Sequence, residues 1–185
     1  MSLNLDGRLC VVIGAPEDRE AIEKTAALEE SGAVVRRLTD PHALRDEDVR
    51  DAFFVISTPQ DEALSARLRG LADRHRFLLC CIDQPVYGFV AMTAVAKAGP
   101  VRVAISTAGL APRVGKKLKE ALQRAMDGTF AAFVGELARR RSAVRQAHPH
   151  PDESNIRRSD AIEAAKGFEA DVRFEYPKWF RDADR

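Results

Sequence analysis

The chain has 185 residues, 45% of them hydrophobic and 31% charged, which suffices for one domain or two small ones. Its formal net charge of +1 provides no overall field that would direct it to nucleic acid or to a membrane surface. It has neither an apolar run of membrane-spanning length nor the pattern of a signal peptide. We therefore expect a cytoplasmic protein that binds neither nucleic acid nor membrane.

The cysteines and histidines give no indication of a metal site. Cys10, Cys80 and Cys81 lie in apolar segments without zinc-ligand spacing, and we interpret them as core residues of a reduced protein. His148 and His150 are two residues apart in a proline-rich segment, with none of the accompanying ligands of a zinc site. We predict no metal site.

The first part of the chain predicts a βαβ unit. A short apolar strand at residues 9–13 precedes a turn and a helix with apolar residues at helical spacing. Gly32 is placed to end that helix, and residues 33–38 predict a second strand. Units of this kind open dinucleotide-binding folds.

The turn after the first strand departs from the usual glycine fingerprint. In G-x-G-x-x-G the second glycine lets a pyrophosphate approach the backbone. Here Gly14 is followed by Ala15 and by Pro16, which has no amide N–H. By itself this turn is typical of an ordinary connection between a strand and a helix.

Three charged residues near the end of the second strand have several open roles. Asp40 can accept a hydrogen bond from a ribose hydroxyl, whereas Arg36 and Arg37 can favour a 2′-phosphate. Of these roles we favour a simpler one for the two arginines, that of surface charges at a strand end.

A second strand–helix pair follows. Residues 39–51 are polar and predict a loop or short helix, and residues 53–57 predict a third strand. Thr58 is predicted to cap the next helix, with Pro59 in its first turn and Asp61 at the capping-box position.

Residues 77–85 predict a central parallel strand that is buried on both faces, because six apolar residues precede Asp83. Ligands of open α/β sheets bind at the carboxyl ends of the strands. Asp83 can therefore act there as a base, a proton donor or a ligand anchor. It is also compatible with a turn aspartate before Pro85.

The pattern changes after Pro85. Residues 89–96 and 101–107 predict two further strands outside the first domain, followed by a loop of small residues at 108–112. From Arg113 onward the pattern is helical.

Within this helical part we predict a break at Asp127 and a new helix capped by Thr129. A last short helix is predicted to begin at Ser159, and the aromatic pair at 179–180 is predicted to pack against the protein.

Several segments together resemble a known family. These are the Leu-x-Gly-Arg of residues 5–8, the segment Cys81-Ile-Asp83, the run from Val103 to Pro112, and the Lys-rich helix that follows. Over residues 3–140 the chain resembles the N-terminal domain of siroheme synthases, the precorrin-2 dehydrogenase/sirohydrochlorin ferrochelatase family.

The resemblance implies NAD-dependent oxidation of precorrin-2 to sirohydrochlorin, with iron insertion as a second activity in some members, and it implies a homodimer. The fold it implies is α/β. A Rossmann-like parallel-sheet domain at 1–87 would be followed by dimerisation strands and a substrate loop at 88–112. A C-terminal helical domain with its tail would occupy 113–185.

The resemblance also suggests site residues. Asp83 stands in the place of the family's catalytic aspartate. The positions expected to bind NAD are Gly14, Ala15, Pro16, Asp40 and Thr58. The positions expected to bind the tetrapyrrole are Ser106, Thr107, Gly109, Arg113 and Lys116, the last two because cations at a helix N-terminus attract the substrate's carboxylates.

Four departures from the family pattern bear on the cofactor more than on the tetrapyrrole. The family's Gly-Gly-Gly is Gly14-Ala-Pro, its Thr-Asp is Thr58-Pro, its Asn is Cys80, and its Ser-Pro is Ala111-Pro. Two alternatives therefore stay open. One is a chelatase or tetrapyrrole-binding protein that has lost the dehydrogenase activity. The other is a non-catalytic α/β dimer that binds a nucleotide as a regulator.

Overall fold

The computed structural model describes residues 3–178, so the aromatic pair at 179–180 lies outside the described residues. The chain divides into two compact units, Met1–Thr93 and Ala94–Arg185. Each unit is built around its own sheet.

The first unit contains a four-stranded parallel sheet in the order β2-β1-β3-β4. Its strands are β1 (Leu9–Ile13), β2 (Val34–Leu38), β3 (Phe54–Ser57) and β4 (Leu78–Cys81). The prediction of an α/β fold with a parallel Rossmann-like sheet is confirmed.

Helices cover both faces of this sheet. They are α1 (Arg19–Glu30), α2 (Asp46–Val49) and α3 (Glu62–His75), and a short 3-10 helix lies at Pro41–Ala43. One apolar core joins α1 to the sheet, and a second joins α2 and α3 to the opposite face. The three cysteines are unpaired and buried in these cores, as predicted.

The prediction that residues 77–85 form a central strand is wrong in two respects. Regular pairing ends at Cys81, and β4 is an edge strand of the sheet. The strand is nevertheless buried because the carbonyl of Leu79 accepts from the amides of Phe89 (2.8 Å) and Val90 (3.1 Å). The chain itself therefore covers this edge of the sheet. An apolar strand such as β4 can thus lie at the edge and still be buried.

The same contacts explain a second error, the strand predicted at 89–96. Residues 89–93 are irregular because their first amides bond to the edge of β4. The strand instead begins later, as β5 (Ala94–Ala98), and pairs antiparallel with β6 (Val101–Ile105).

In its described residues the second unit contains this hairpin and the α-helices α4 (Pro112–Ala125), α5 (Gly128–Ala147) and α6 (Ser154–Ala164). Its buried core is small and contains Ala96, Ala98 and Met126. Helix α6 begins five residues before the predicted Ser159, because a 3-10 turn at Pro151–Glu153 leads directly into it.

Aspartates cap two helices where threonines were predicted to do so. Asp61 accepts from the amide of Leu64 (3.0 Å) at the start of α3, so Thr58 and Pro59 lie outside that helix. Asp127 accepts from the amide of Phe130 (2.9 Å) at the start of α5, so Thr129 is not its cap. Thr58 lies before the N-cap of α3, and Thr129 lies after the N-cap of α5, within the helix.

The α5 cap gives a direct test of this assignment. Replacing Asp127 by Ala removes the acceptor for an N-terminal amide, and we expect it to lower the free energy of unfolding by about 1 kcal/mol. Thr129→Ala is the matched control and is expected to change it by less than about 0.5 kcal/mol. Urea denaturation of both variants measures the difference. An equal loss in both would mean that Thr129 shares the capping role.

Candidate functional site

The parallel strands of the first unit all end at one edge of the sheet, and the residues that follow them form the candidate cofactor and catalytic site. Gly14 follows β1 and donates to the carbonyl of Leu38 (3.1 Å). Thr58 follows β3, and its amide donates to the carbonyl of Ile13 (3.0 Å). Asp83 lies just beyond β4. The fold thus places these sequence-predicted positions at one sheet edge.

Gly14 is required by close packing. A Cβ on this residue would lie 2.3 Å from the Thr58 hydroxyl oxygen, 2.8 Å from the Ala21 Cβ and 2.9 Å from a carboxylate oxygen of Asp18. The first turn of α1 therefore packs directly against the end of β3. The one glycine kept from the fingerprint serves this contact between helix and strand.

Asp18, which the sequence analysis did not single out, caps α1. Its Oδ1 accepts from the amides of Glu20 (2.9 Å) and Ala21 (3.3 Å). Its Oδ2 accepts from the hydroxyl of Thr58. The Thr58 hydrogen bond, supported by the two amides and by the charge of Arg37, holds the pKa of Asp18 below its usual value. The sequence does carry a signal, since an aspartate directly before the periodic apolar residues is a typical N-cap.

Arg37 fixes the same loop. Its guanidinium donates to the carbonyls of Gly14 (3.2 Å) and Ala15 (3.1 Å), and to the hydroxyl of Thr25 (3.4 Å). Of the roles left open for this residue, that of an exposed surface charge is therefore wrong. Arg36 is exposed and donates to the carbonyl of Asp48 (3.0 Å).

These contacts bear on whether the loop fits the pyrophosphate of a dinucleotide. In this class of fold the pyrophosphate lies at the N-terminus of the first helix and takes backbone N–H groups there. In this chain the Asp18 carboxylate takes two of those groups, and Pro16 has none to offer. In this conformation the β1–α1 loop therefore offers a pyrophosphate fewer backbone N–H groups than the usual glycine fingerprint does.

Asp40 lies two residues beyond β2 and is exposed. Its Oδ1 accepts from the amide of His42 (3.0 Å), which starts the 3-10 helix. A role for Asp40 at the ribose of a dinucleotide stays a prediction.

Asp83 occupies a tight turn after β4. Its φ of 58° lies in the left-handed region, which aspartate tolerates better than most residues. The side-chain amide of Gln60 donates to its Oδ2 (3.1 Å), and the next residue, Gln84, accepts from the hydroxyl of Ser65 (2.5 Å). The carboxylate is therefore exposed but oriented, as a reacting group at a sheet edge needs to be.

The positions that the sequence predicts to bind the tetrapyrrole lie in the second unit. The hydroxyl of Ser106 accepts from the amide of Ala108 (3.3 Å), and the amide of Leu110 donates to the carbonyl of Thr107 (2.9 Å). Ala108 and Gly109 both have positive φ, 51° and 76°. These bonds make residues 106–110 a tight loop that leads to α4.

The start of α4 lacks a side-chain cap, because its N-cap residue is Ala111. Arg113 and Lys116 lie in the first turns of this helix and are exposed. An uncapped helix N-terminus beside two cations is suited to carboxylates.

Among residues 3–178, no group of three or more His, Cys, Asp or Glu side chains is placed to hold a metal ion. No described helix is long and apolar enough to cross a membrane.

Comparison with known proteins places the fold and the family. A sequence family described as "Putative NAD(P)-binding" matches residues 1–94. The chain is 31% identical over 98 residues to precorrin-2 dehydrogenase of Bacillus subtilis (strain 168), an alignment covering 53% of this chain and 60% of that protein. It is 29% identical over 140 residues to siroheme synthase of Xylella fastidiosa (strain M12), covering 75% of this chain and 28% of that protein.

Among solved structures the chain is similar to SirC, a precorrin-2 dehydrogenase, with a TM-score of 0.70 and 18% identity over 90% of this chain and 89% of that one. This likeness shows the fold. The chain spans less than two thirds of the length of the two relatives from Bacillus and Xylella. Because the family match covers more than half of the sequence, the chain belongs to this NAD(P)-binding family, in agreement with its resemblance to the N-terminal domain of siroheme synthases.

Proposed function

We propose that the chain acts in siroheme biosynthesis and oxidises precorrin-2 to sirohydrochlorin, with NAD as the acceptor. Its similarity to a precorrin-2 dehydrogenase and to siroheme synthases supports this function. The observation that carries the proposal is the placement of Asp83, an exposed carboxylate oriented by Gln60 at the carboxyl end of the parallel sheet. Iron insertion into sirohydrochlorin is a second activity that the same family includes.

The oxidation removes a hydride and a proton from the reduced macrocycle. NAD, when bound, supplies the hydride acceptor. Asp83 is the residue that we assign to the proton, because its carboxylate is exposed and, within residues 3–178, accepts a side-chain hydrogen bond from Gln60 alone. Gln60 follows β3 and so fixes the base relative to the neighbouring strand.

The substrate carries carboxylates around its ring, and the start of α4 is the surface that we assign to them. No side chain caps its first turn, although Pro112 has no N–H and the amide of Val114 donates to the carbonyl of Ala111 (3.0 Å). The attraction therefore depends mainly on the two exposed cations, Arg113 and Lys116. The preceding loop, with Ser106, Thr107 and Gly109, provides hydroxyls and a backbone with little side-chain bulk.

The remaining assignments follow the same proposal. Residues 1–87 would bind the nucleotide, 88–112 would provide dimer contacts and the substrate loop, and 113–185 would form the helical part. The three free cysteines are consistent with a reducing compartment such as the cytoplasm.

A second function is a chelatase or tetrapyrrole-binding protein that has lost the dehydrogenase activity. Asp18 favours it, since this carboxylate caps α1 where a cofactor's pyrophosphate would lie. Anaerobic incubation with precorrin-2 and NAD, followed by the absorbance of sirohydrochlorin, separates the two functions. NAD-dependent formation of sirohydrochlorin supports the dehydrogenase. Tetrapyrrole binding without this turnover supports the second function.

We also propose a homodimer that pairs through β6. The other strand of the hairpin, β5, is blocked at its outer edge, because Lys97 donates to the side chain of Gln123 (3.0 Å) and accepts from it (2.7 Å). The backbone of Lys97 thus faces away from β6. By the antiparallel alternation, Arg102 and Ala104 of β6 direct their amides to the opposite, outer edge. In the described part of the chain no strand pairs with that edge.

Asp83→Asn tests the catalytic assignment. Asparagine tolerates the left-handed φ equally well and keeps a hydrogen-bonding side chain, but it cannot take a proton at neutral pH. We expect the rate of precorrin-2 oxidation to fall at least about 100-fold with little change in melting temperature. Asp61→Asn is the control, since it removes the same charge near the same edge and retains the helix cap. A normal rate in Asp83→Asn would show that Asp83 is a turn residue only.

Replacing Arg113 and Lys116 by Ala tests the substrate surface. We expect the binding of uroporphyrin, a stable porphyrin with eight carboxylates, to weaken by about 1–3 kcal/mol, while NAD binding is unchanged. Arg124→Ala, in the last turn of α4, is the control and should have little effect. Equal losses for both ligands in fluorescence titrations would point to a folding defect.

Ala104→Pro tests the dimer edge. Proline removes an outward amide without breaking the β5–β6 pairing, whereas Ala104→Val keeps that amide. We expect light scattering to give a dimer mass for the wild type and for Ala104→Val, and a monomer mass for Ala104→Pro. A monomeric wild type would contradict the dimer, and a dimeric proline variant would contradict pairing through β6.

A further inference from the structure

The N-terminus of α1 is occupied by an anionic side chain of the protein itself, the carboxylate of Asp18. Two backbone amides of the first turn, those of Glu20 and Ala21, donate to the Asp18 carboxylate at 2.9 and 3.3 Å. These are the groups that an α-helix presents to a bound phosphate. Because these two amides donate to Asp18, they are not available to an anion that binds from solution.

Asp18 is also held in this position from several directions. Its amide donates to the carbonyl of Ala15 (3.1 Å), and its carbonyl accepts from the amide of Ile22 (3.0 Å), so its backbone is part of the turn into the helix. Its carboxylate accepts from the Thr58 hydroxyl, and Arg37 holds the loop through the carbonyls on the other side of the turn. A pyrophosphate would have to displace a fixed residue and not merely a mobile side chain.

Charge adds to this steric competition. The lowered pKa of Asp18 keeps it ionised at neutral pH. A pyrophosphate brought to the same helix end would meet a like charge within a few ångströms, and such a contact is strongly unfavourable. The adenine and ribose of a dinucleotide carry no charge and do not meet this repulsion.

We infer that Asp18 is a built-in competitor of the cofactor's pyrophosphate and sets the affinity of this fold for dinucleotides. The inference deepens the proposed dehydrogenase function, on which it rests for the choice of NAD as the ligand. According to this inference, the affinity for NAD is limited by the Asp18 carboxylate and not only by the missing glycines and Pro16.

Asp18→Asn is the decisive variant. It removes the charge but keeps an oxygen that can accept from the two amides, so α1 retains its cap. Its NH₂ group can donate to the Thr58 hydroxyl, which then donates to the carbonyl of Ile13, 3.1 Å away in the present structure. Asp18→Ser, a second good capping residue, provides an independent variant if the asparagine disturbs folding. Glu23→Gln removes the same charge from an exposed site one turn further along α1 and is the matched control.

The measurement is the dissociation constant of NAD by calorimetry and that of adenosine by ligand-observed NMR, each for the wild type and the variants. We expect Asp18→Asn and Asp18→Ser to bind NAD at least about tenfold more tightly, as removal of a close like charge implies. Adenosine affinity should stay the same throughout, and Glu23→Gln should behave as the wild type. NAD affinity that is unchanged in both folded Asp18 variants, or adenosine affinity that rises equally, would overturn the inference.

These outcomes remain separate from those of the proposed function. Tighter NAD binding in Asp18→Asn without any oxidation of precorrin-2 would support the competition and contradict the dehydrogenase. Oxidation of precorrin-2 by a wild type whose NAD affinity does not depend on Asp18 would support the dehydrogenase and contradict the competition.

Discussion

The contact between Thr58 and Asp18 determines the shape of the candidate cofactor site. The Thr58 hydroxyl lies between the last carbonyl of β1 and the carboxylate that caps α1, so one side chain links two strands and a helix. This arrangement leaves no space for a side chain at Gly14, which accounts for the one glycine retained in the loop. The tight turn from β1 into α1 is thus held by hydrogen bonds within the chain.

The two helices that face the proposed ligands begin in opposite ways. Helix α1 is capped by an acid of its own, whereas α4 begins at Ala111 without a side-chain cap and carries Arg113 and Lys116 in its first turns. The first arrangement disfavours an incoming anion, and the second favours one. The start of α4 is thus the better suited of the two helix starts for a carboxylate, which supports the tetrapyrrole as the ligand that both proposed functions share.

Much of the fold could be predicted from the sequence because short apolar runs and helical periodicity depend on local composition. The four strands and the position of Asp83 after the last of them are of this kind. The errors arise where two local solutions compete. Thr58 and Asp61 are both acceptable caps, but contacts with residues far away in sequence hold Thr58: its amide donates to the carbonyl of Ile13 and its hydroxyl to Asp18, so Asp61 caps α3. The edge position of β4 could not be predicted either, because Phe89 and Val90 cover that edge and the composition of β4 resembles that of a central strand.

The two acids at this sheet edge illustrate why position alone does not identify a catalytic base. Asp18 accepts from two amides and a hydroxyl, and these bonds stabilise its ionised form, so a proton taken from a substrate would be held weakly there. Asp83 accepts from a single side-chain amide, is exposed, and lies in a turn whose left-handed conformation is compatible with aspartate. The carboxylate of Asp83 is thus accessible to a substrate proton, whereas that of Asp18 already accepts hydrogen bonds that stabilise the fold. Of these two side chains, Asp83 is therefore the one to which the proposed function gives the proton transfer.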